Sequence, residues 1–190
     1  MGLRIESIHL GEIVVLVPDV IEDARGFFME TCRADQFQSL GLPYEFVQEN
    51  HSRSRKGVLR GLHFQFDPPM GKLMRVTAGS AFLVAVDIRA GSPTLGQWFG
   101  LEVSAENKKQ VWAPPGFARG ICATSDFTEV QYKCTALYNQ AGESGIRWDD
   151  PDIGIPWPTR EPILSEKDRH AQTLKEWVSS SDSQHLKYPV

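Results

Sequence analysis

The segment Gly57-Val58-Leu59-Arg60-Gly61-Leu62-His63-Phe64-Gln65 concentrates side chains that can do chemistry, and Gln48-Glu49-Asn50-His51-Ser52-Arg53-Ser54 precedes it closely. Read as a strand, it turns Arg60, Leu62 and Phe64 to one face and Gly61, His63 and Gln65 to the other. An imidazole titrates near neutrality, so His63 in a dry pocket can remove a proton of moderate acidity. A proton next to a carbonyl meets that requirement if the site stabilises the enolate left behind. Lys72, reached through the turn Pro68-Pro69-Met70-Gly71, can offer a cation to the enolate oxygen; the position equally suits a solvated lysine at a strand end. Tyr132, in Val130-Gln131-Tyr132-Lys133-Cys134, is either a core ring or a phenol that returns a proton from the face opposite His63. Asp168 either caps its helix or accepts a hydrogen bond from the second imidazole nitrogen of His63, and spacing allows both.

A metal site is the competing chemistry. Small β-barrels that bind metal use His-x-His on one strand and a further His after a Pro-x-Gly turn. The corresponding places here read His63-Phe64-Gln65 and Pro115-Gly116-Phe117-Ala118-Arg119. Arginine stays protonated and cannot ligate a cation, and His9, His51, His170 and His185 have no cooperating spacing, so no metal is expected. Cys32, Cys122 and Cys134 are odd in number, lack CxxC spacing and have no base beside them; they read as buried, reduced thiols of a cytoplasmic protein. Arg25, Arg60 and Arg119 are too scattered for a nucleic-acid stripe but suit a diphosphate. Tyr138 can stack on a nucleobase. Neither GxGxxG nor GxxxxGK[ST] occurs, so a nucleotide would be held by side chains and no cofactor is implied.

These residues need a scaffold of short strands. Val-, Ile-, Phe-, Trp- and Thr-rich stretches at 13–17, 73–77, 81–88, 97–103, 109–113 and 129–135 alternate with turn residues. That rhythm predicts an antiparallel sandwich or barrel. Helix is confined to 33–40, with Ala34, Phe37 and Leu40 on one face, and to a segment carrying Leu174, Trp177 and Val178 behind the capping-box sequence Ser165-Glu166-Lys167-Asp168. The serine-rich 179–190 reads as a loose tail. With 190 residues, 41% of them hydrophobic and 23% charged, the chain suits a single domain over 1–190. Twenty basic against twenty-four acidic residues, net −4 and without blocks of like charge, argue against nucleic acid as a partner. No apolar run approaches eighteen residues and Met1-Gly2-Leu3-Arg4-Ile5-Glu6 has no signal-peptide core, so neither a membrane span nor export is expected.

Several motifs together resemble the dTDP-4-dehydrorhamnose 3,5-epimerases: Arg25-Gly26-Phe27-Phe28-Met29-Glu30, Gln48-x-Asn50-x-Ser52, the His63 segment, Gly71-Lys72-Leu73, Val84-Ala85-Val86-Asp87-Ile88-Arg89, Pro114-Pro115-Gly116-Phe117-Ala118, Tyr132-Lys133-Cys134-Thr135, Trp148-Asp149-Asp150-Pro151-Asp152 and Leu164-Ser165-Glu166-Lys167-Asp168. The match runs over about residues 8 to 170. The resemblance implies an all-β, cupin-like antiparallel barrel (jelly roll) with a few short helices, working as a homodimer without metal or cofactor. Its implied reaction inverts C3 and C5 of a nucleoside-diphosphate-linked 4-keto-6-deoxyhexose. By position His63 would be the base with Asp168 as its partner, Tyr132 the acid, and Lys72 the stabiliser of the enolate. Arg25, Glu30, Gln48, Asn50, Arg60, Glu143 and Lys167 would line the substrate site, with Tyr138 against the base. Because dimers of this family exchange N-terminal strands, Arg25 and Glu30 would serve the neighbouring subunit. Two departures stand out: Arg119 replaces the family's usual His, and Leu83 its usual Asp. They leave open inversion of one carbon only, or a related sugar nucleotide. A binding module without chemistry is the alternative of another class.

Overall fold

The computed structural model describes residues 2–189. Its strands are β1 (Leu3–His9), β2 (Ile13–Pro18), β3 (Val20–Asp23), β4 (Gly26–Met29), β5 (Gln48–Arg55), β6 (Leu59–Gln65), β7 (Lys72–Ala78), β8 (Ser80–Asp87), β9 (Trp98–Ser104), β10 (Gln110–Ala113), β11 (Phe117–Ala123), β12 (Phe127–Cys134) and β13 (Glu143–Gly145). Short helices α1 (Ala34–Ser39), α2 (Glu166–Arg169) and α3 (Leu174–Ser179) and two 3-10 turns complete it. A larger sheet runs β1-β2-β10-β7-β12-β5 and a smaller one β13-β6-β11-β8-β9, all neighbours antiparallel; β3 and β4 form a separate ribbon. This is the antiparallel barrel that the resemblance implies.

Residues of both sheets fill the interior: Met74, Val76, Val111, Ala113 and Val130 meet Ala81, Leu83, Ala85, Val103 and Phe117. The alternate residues of β8, Val84 and Val86, face outward into a second core with Leu62, Phe64 and Ile146, roofed by Leu174, Trp177 and Leu186. Burial on both faces explains why 81–88 reads as an unbroken apolar run. On the outside of the larger sheet, Phe37 of α1 packs with Val14, Leu16, Leu73 and Trp112.

Two expectations fail at the C-terminal end. The segment read as a loose tail is packed over the residues described: Leu186 is 4% exposed, and the Tyr188 amide donates to the Ala90 carbonyl at 3.0 Å. Val190 lies outside the described residues. The serines that suggest looseness act locally, since the Ser183 hydroxyl donates to the Ser180 carbonyl at 2.8 Å and closes a turn. Nor does one helix follow Ser165. The segment divides into α2 and α3 because residue 172 bridges to residue 146 between them, and the reciprocal capping box lies at Thr173 and Glu176. At Ser165 only half of such a box exists: its hydroxyl accepts from the Asp168 amide, while the Asp168 carboxylate is engaged elsewhere.

Candidate active site

A register shift in β6 assembles the site. Arg119 of β11 stands opposite His63 and Ile121 opposite Arg60, so Gly61 and Leu62 together oppose Gly120 alone. The extra residue is a β-bulge. It overturns the strict alternation read from the sequence: Arg60 and His63 lie on the same, inward face. Only glycine suits position 61, where φ is +138° and a Cβ would lie 2.6 Å from the Gly120 Cα.

His63, Arg60, Arg119 and Ile121 from the smaller sheet and Ser52, Lys72, Met74 and Tyr132 from the larger enclose a cavity of about 170 Å³. The imidazole and the phenol thus come from opposite sheets and meet across one cavity. Register delivers the remainder. Tyr132 pairs with Met74 on β7 and Asn50 on β5, and Cys134 pairs with Lys72 and Gln48, so their side chains share a face. The Lys72 Nζ lies 4.7 Å from the centroid of the Tyr132 ring. Met74 and Ile121 were not singled out from sequence, and Ser52 only as the end of the Gln48-x-Asn50-x-Ser52 motif; each sits two residues from a candidate, and period-two spacing would have found them.

Behind His63, its Nε2 lies 2.5 Å from Oδ1 of the buried Asp168. A carboxylate there accepts the Nε2 proton and leaves Nδ1 as the basic nitrogen. Burial works against the Asp168 charge, but the His63 hydrogen bond and charge, Ser165 and the Gly61 backbone together hold its pKa below the usual carboxylate range. Of the two roles that spacing allowed Asp168, its side chain takes the one on His63.

The other shifts suit the same chemistry. Burial, followed by the Arg119 charge, pushes Lys72 down to about 8, so it remains largely an ammonium at neutrality. Burial raises the Tyr132 phenol, only partly offset by its hydrogen bond from Asn50, and keeps it protonated. Burial brings Arg119 down to about 10, still a cation.

A polar chain leads outward. Gln48 donates to Asn50 at 3.2 Å and accepts from the Tyr138 amide at 2.8 Å. The exposed Tyr138 hydroxyl donates to Glu143 at 2.9 Å, and Lys167 pairs with Glu143 at 2.6 Å. Burial would raise Glu143, but Lys167 and Tyr138 outweigh it and the group stays ionised. Glu143, Lys167, Asp168 and His63 border a second hollow of about 310 Å³, so His63 lies on the wall of both spaces. Arg25 and Glu30 do not join them within this chain. Arg25 sits on the β3–β4 ribbon, its side chain 90% exposed and 2.5 Å from Asp23, and Glu30 faces Arg33 at 3.3 Å. That ribbon pairs with neither sheet. Among the described residues no three His, Cys, Asp or Glu side chains are grouped to hold a metal ion, and no helix is long and apolar enough to cross a membrane.

The family model of dTDP-4-dehydrorhamnose 3,5-epimerase matches residues 7–176. The chain belongs to that family. It is 51% identical over 176 residues to the dTDP-4-dehydrorhamnose 3,5-epimerase of Methanothermobacter thermautotrophicus, covering 91% of this chain and 95% of the relative. The Neisseria gonorrhoeae protein of the same name is 49% identical over 181 residues; the match takes in 95% of this chain but spans 54% of that longer relative. Among solved structures, the dTDP-6-deoxy-D-glucose-3,5-epimerase of Legionella pneumophila in complex with dTDP-4-keto-L-rhamnose superposes with a TM-score of 0.92 at 43% identity, covering 100% of both chains. Against the epimerase family pattern, the structure puts Arg119 inside the cavity and Leu83 beside it, paired with Ile121 in the apolar interior.

Proposed function

We propose that the protein epimerises dTDP-4-dehydro-6-deoxyglucose to dTDP-4-dehydrorhamnose, inverting C3 and C5 through enolates. The observation that carries this reading is a base, an acid and a buried cation on the walls of one cavity, with Asp168 behind the base. In each half-reaction His63 takes the proton from the carbon beside the ketone, and the C–H electron pair moves onto the ketone oxygen as an enolate. Lys72 offsets that charge. The Tyr132 hydroxyl then donates its proton to the opposite face of the carbon, and the enolate returns to ketone. Imidazolium and phenolate exchange protons with solvent after each half-reaction, so both groups are reset before the second carbon is inverted. Asp168 stabilises the imidazolium and fixes its tautomer. Gln48, Asn50, Arg60, Tyr138, Glu143 and Lys167 line the way for the nucleotide. Arg25 and Glu30 reach a neighbouring subunit in a homodimer, a reading supported by the exposed Ile21, Phe27 and Phe28 on their ribbon. The three free cysteines suit a reducing, cytoplasmic setting.

The test is turnover of dTDP-4-dehydro-6-deoxyglucose in deuterium oxide, followed by proton NMR. Deuterium at both C3 and C5 is the expected result, with His63→Ala slower by roughly 10³-fold or more. Label at one carbon replaces the reading with a single-carbon epimerase. No label at either carbon leaves a binding module.

A further inference from the structure

Arg119 is 4% exposed, stands opposite His63 in register, and lines the cavity that Lys72 and Tyr132 also line. Of its donors only Nη1 has a partner, the Met70 carbonyl at 2.9 Å. Nε and Nη2 are buried with no acceptor among the described residues. On β8 its neighbours supply none, since Ala85 lies opposite and the next pair two residues along is Leu83 with Ile121. The Glu143 carboxylate is taken by Lys167 and Tyr138. A buried cation with unmet donors destabilises a fold and needs a reason to persist.

The Nε–Nη2 edge is a fork of two parallel N–H groups, which matches two neighbouring oxygens held in one plane. A 4-keto sugar offers such a pair: the ketone oxygen and the hydroxyl on C3. Because the base and the acid that must reach the ring carbons line this same cavity, the sugar ring rather than the diphosphate belongs beside Arg119. We propose that the Nε–Nη2 edge of Arg119 clasps the ketone oxygen and the C3 hydroxyl together, making it a catalytic residue that shares the enolate charge with Lys72 and selects substrates oxygenated at C3. This rests on the epimerase reading above. It replaces the diphosphate role that the residue type alone suggested, and it uses a guanidinium where proton exchange is impossible and permanent charge is available.

The experiment measures C5 deuterium exchange for the parent 4-keto sugar nucleotide and for its 3-deoxy analogue, in wild type, Arg119→Met and Arg119→Lys, with thermal melting of each. Wild type is expected to prefer the parent at least about tenfold in kcat/KM, the value of one hydrogen bond to a charged donor. Arg119→Met should lose roughly 10²- to 10³-fold in kcat on the parent, melt no lower than wild type, and treat the two substrates alike. Arg119→Lys keeps a charge and a donor for the Met70 carbonyl, so it keeps the test open if the methionine variant fails to fold. It should recover part of the rate but none of the C3 preference. A preference for the parent that survives in either folded variant, or wild-type kcat in Arg119→Met, overturns the proposal. So does a fall in melting temperature with exchange rates intact, which would make Arg119 an anchor for the Met70 loop. If wild type exchanges neither carbon of the parent, the epimerase reading itself fails and this one with it.

Discussion

Lys72→Met separates what the buried ammonium does for the reaction from what it does to the fold. The fall in the Lys72 pKa from 10.5 to about 8 means that the folded state disfavours the charged form by about 3 kcal/mol, at about 1.4 kcal/mol per pH unit. That penalty is fully present below about pH 8, where both folded and unfolded chains carry the proton. Between about 8 and 10.5 the unfolded chain binds more protons than the folded one, so stability rises with pH and the penalty disappears. Methionine fills a similar volume without the charge. It forfeits the ammonium's contact with the Tyr132 ring, about 1–2 kcal/mol in a desolvated site. The net expectation at pH 7 is a gain of about 1–2 kcal/mol, or roughly 2–8 °C in melting temperature for a chain of this size. At pH 10.5 the gain should vanish or reverse. The same variant should lose about 10²- to 10³-fold in kcat, because the enolate loses a cation. Wild-type kcat should fall as pH rises through about 8, with Tyr132 and Arg119 still protonated. Burial sets this limb first, with the charges of Arg119 and Lys167 also lowering Lys72 and those of Cys134 and Glu143 raising it. Thermal melts at pH 7 and 10.5, paired with rates across the same range, give the answer. A Lys72→Met variant that melts lower than wild type at pH 7, or whose gain is undiminished at pH 10.5, refutes the reasoning.

Other perturbations probe the supports of the site. Gly61→Ala forces a Cβ against the Gly120 backbone in a conformation that L side chains avoid, so a loss of at least about 2 kcal/mol is expected in chemical denaturation; an unchanged midpoint would dismiss the bulge. Asp168→Asn removes the charge behind His63 and should lower kcat by at least about 10²-fold with little change in KM, measured by steady-state kinetics; because the Asp168 carboxyl is held below the usual carboxylate range, its protonation should not contribute to any loss of wild-type rate near neutrality. Leu186→Ala should cost about 2–3 kcal/mol, since Leu186 packs with Trp177 and Leu174, whereas a tail free of the core would melt unchanged. Phe27→Asp combined with Phe28→Asp should yield monomers in analytical ultracentrifugation if the β3–β4 ribbon docks on a second copy, and an unaltered dimer would exclude that ribbon from the interface.

What the residues declared unaided was local. Alternation and β-branched content announced strands at 13–17, 73–77 and 129–135, and the doubly apolar 81–88 matched β8, because pleat and burial leave a period in a single stretch of chain. β11 was missed, since Ala118, Arg119 and Gly120 interrupt any such period. Residue chemistry alone pointed to His63, Lys72, Tyr132 and Asp168, and the structure gathers them. Everything that depends on distant partners had to await the fold. Whether Arg60 shares a face with His63 is decided by a bulge against β11, some sixty residues away, and no count along β6 could reveal it. The serines of the last turn looked disordered until Ile88 and Trp177 supplied the surface on which Leu186 packs. The same holds for Arg119: its type is written in the chain, but its two unmet donors arise from what the neighbouring strands do not place beside it, and hydrogen-bond satisfaction is a property of the packed structure, not of any segment.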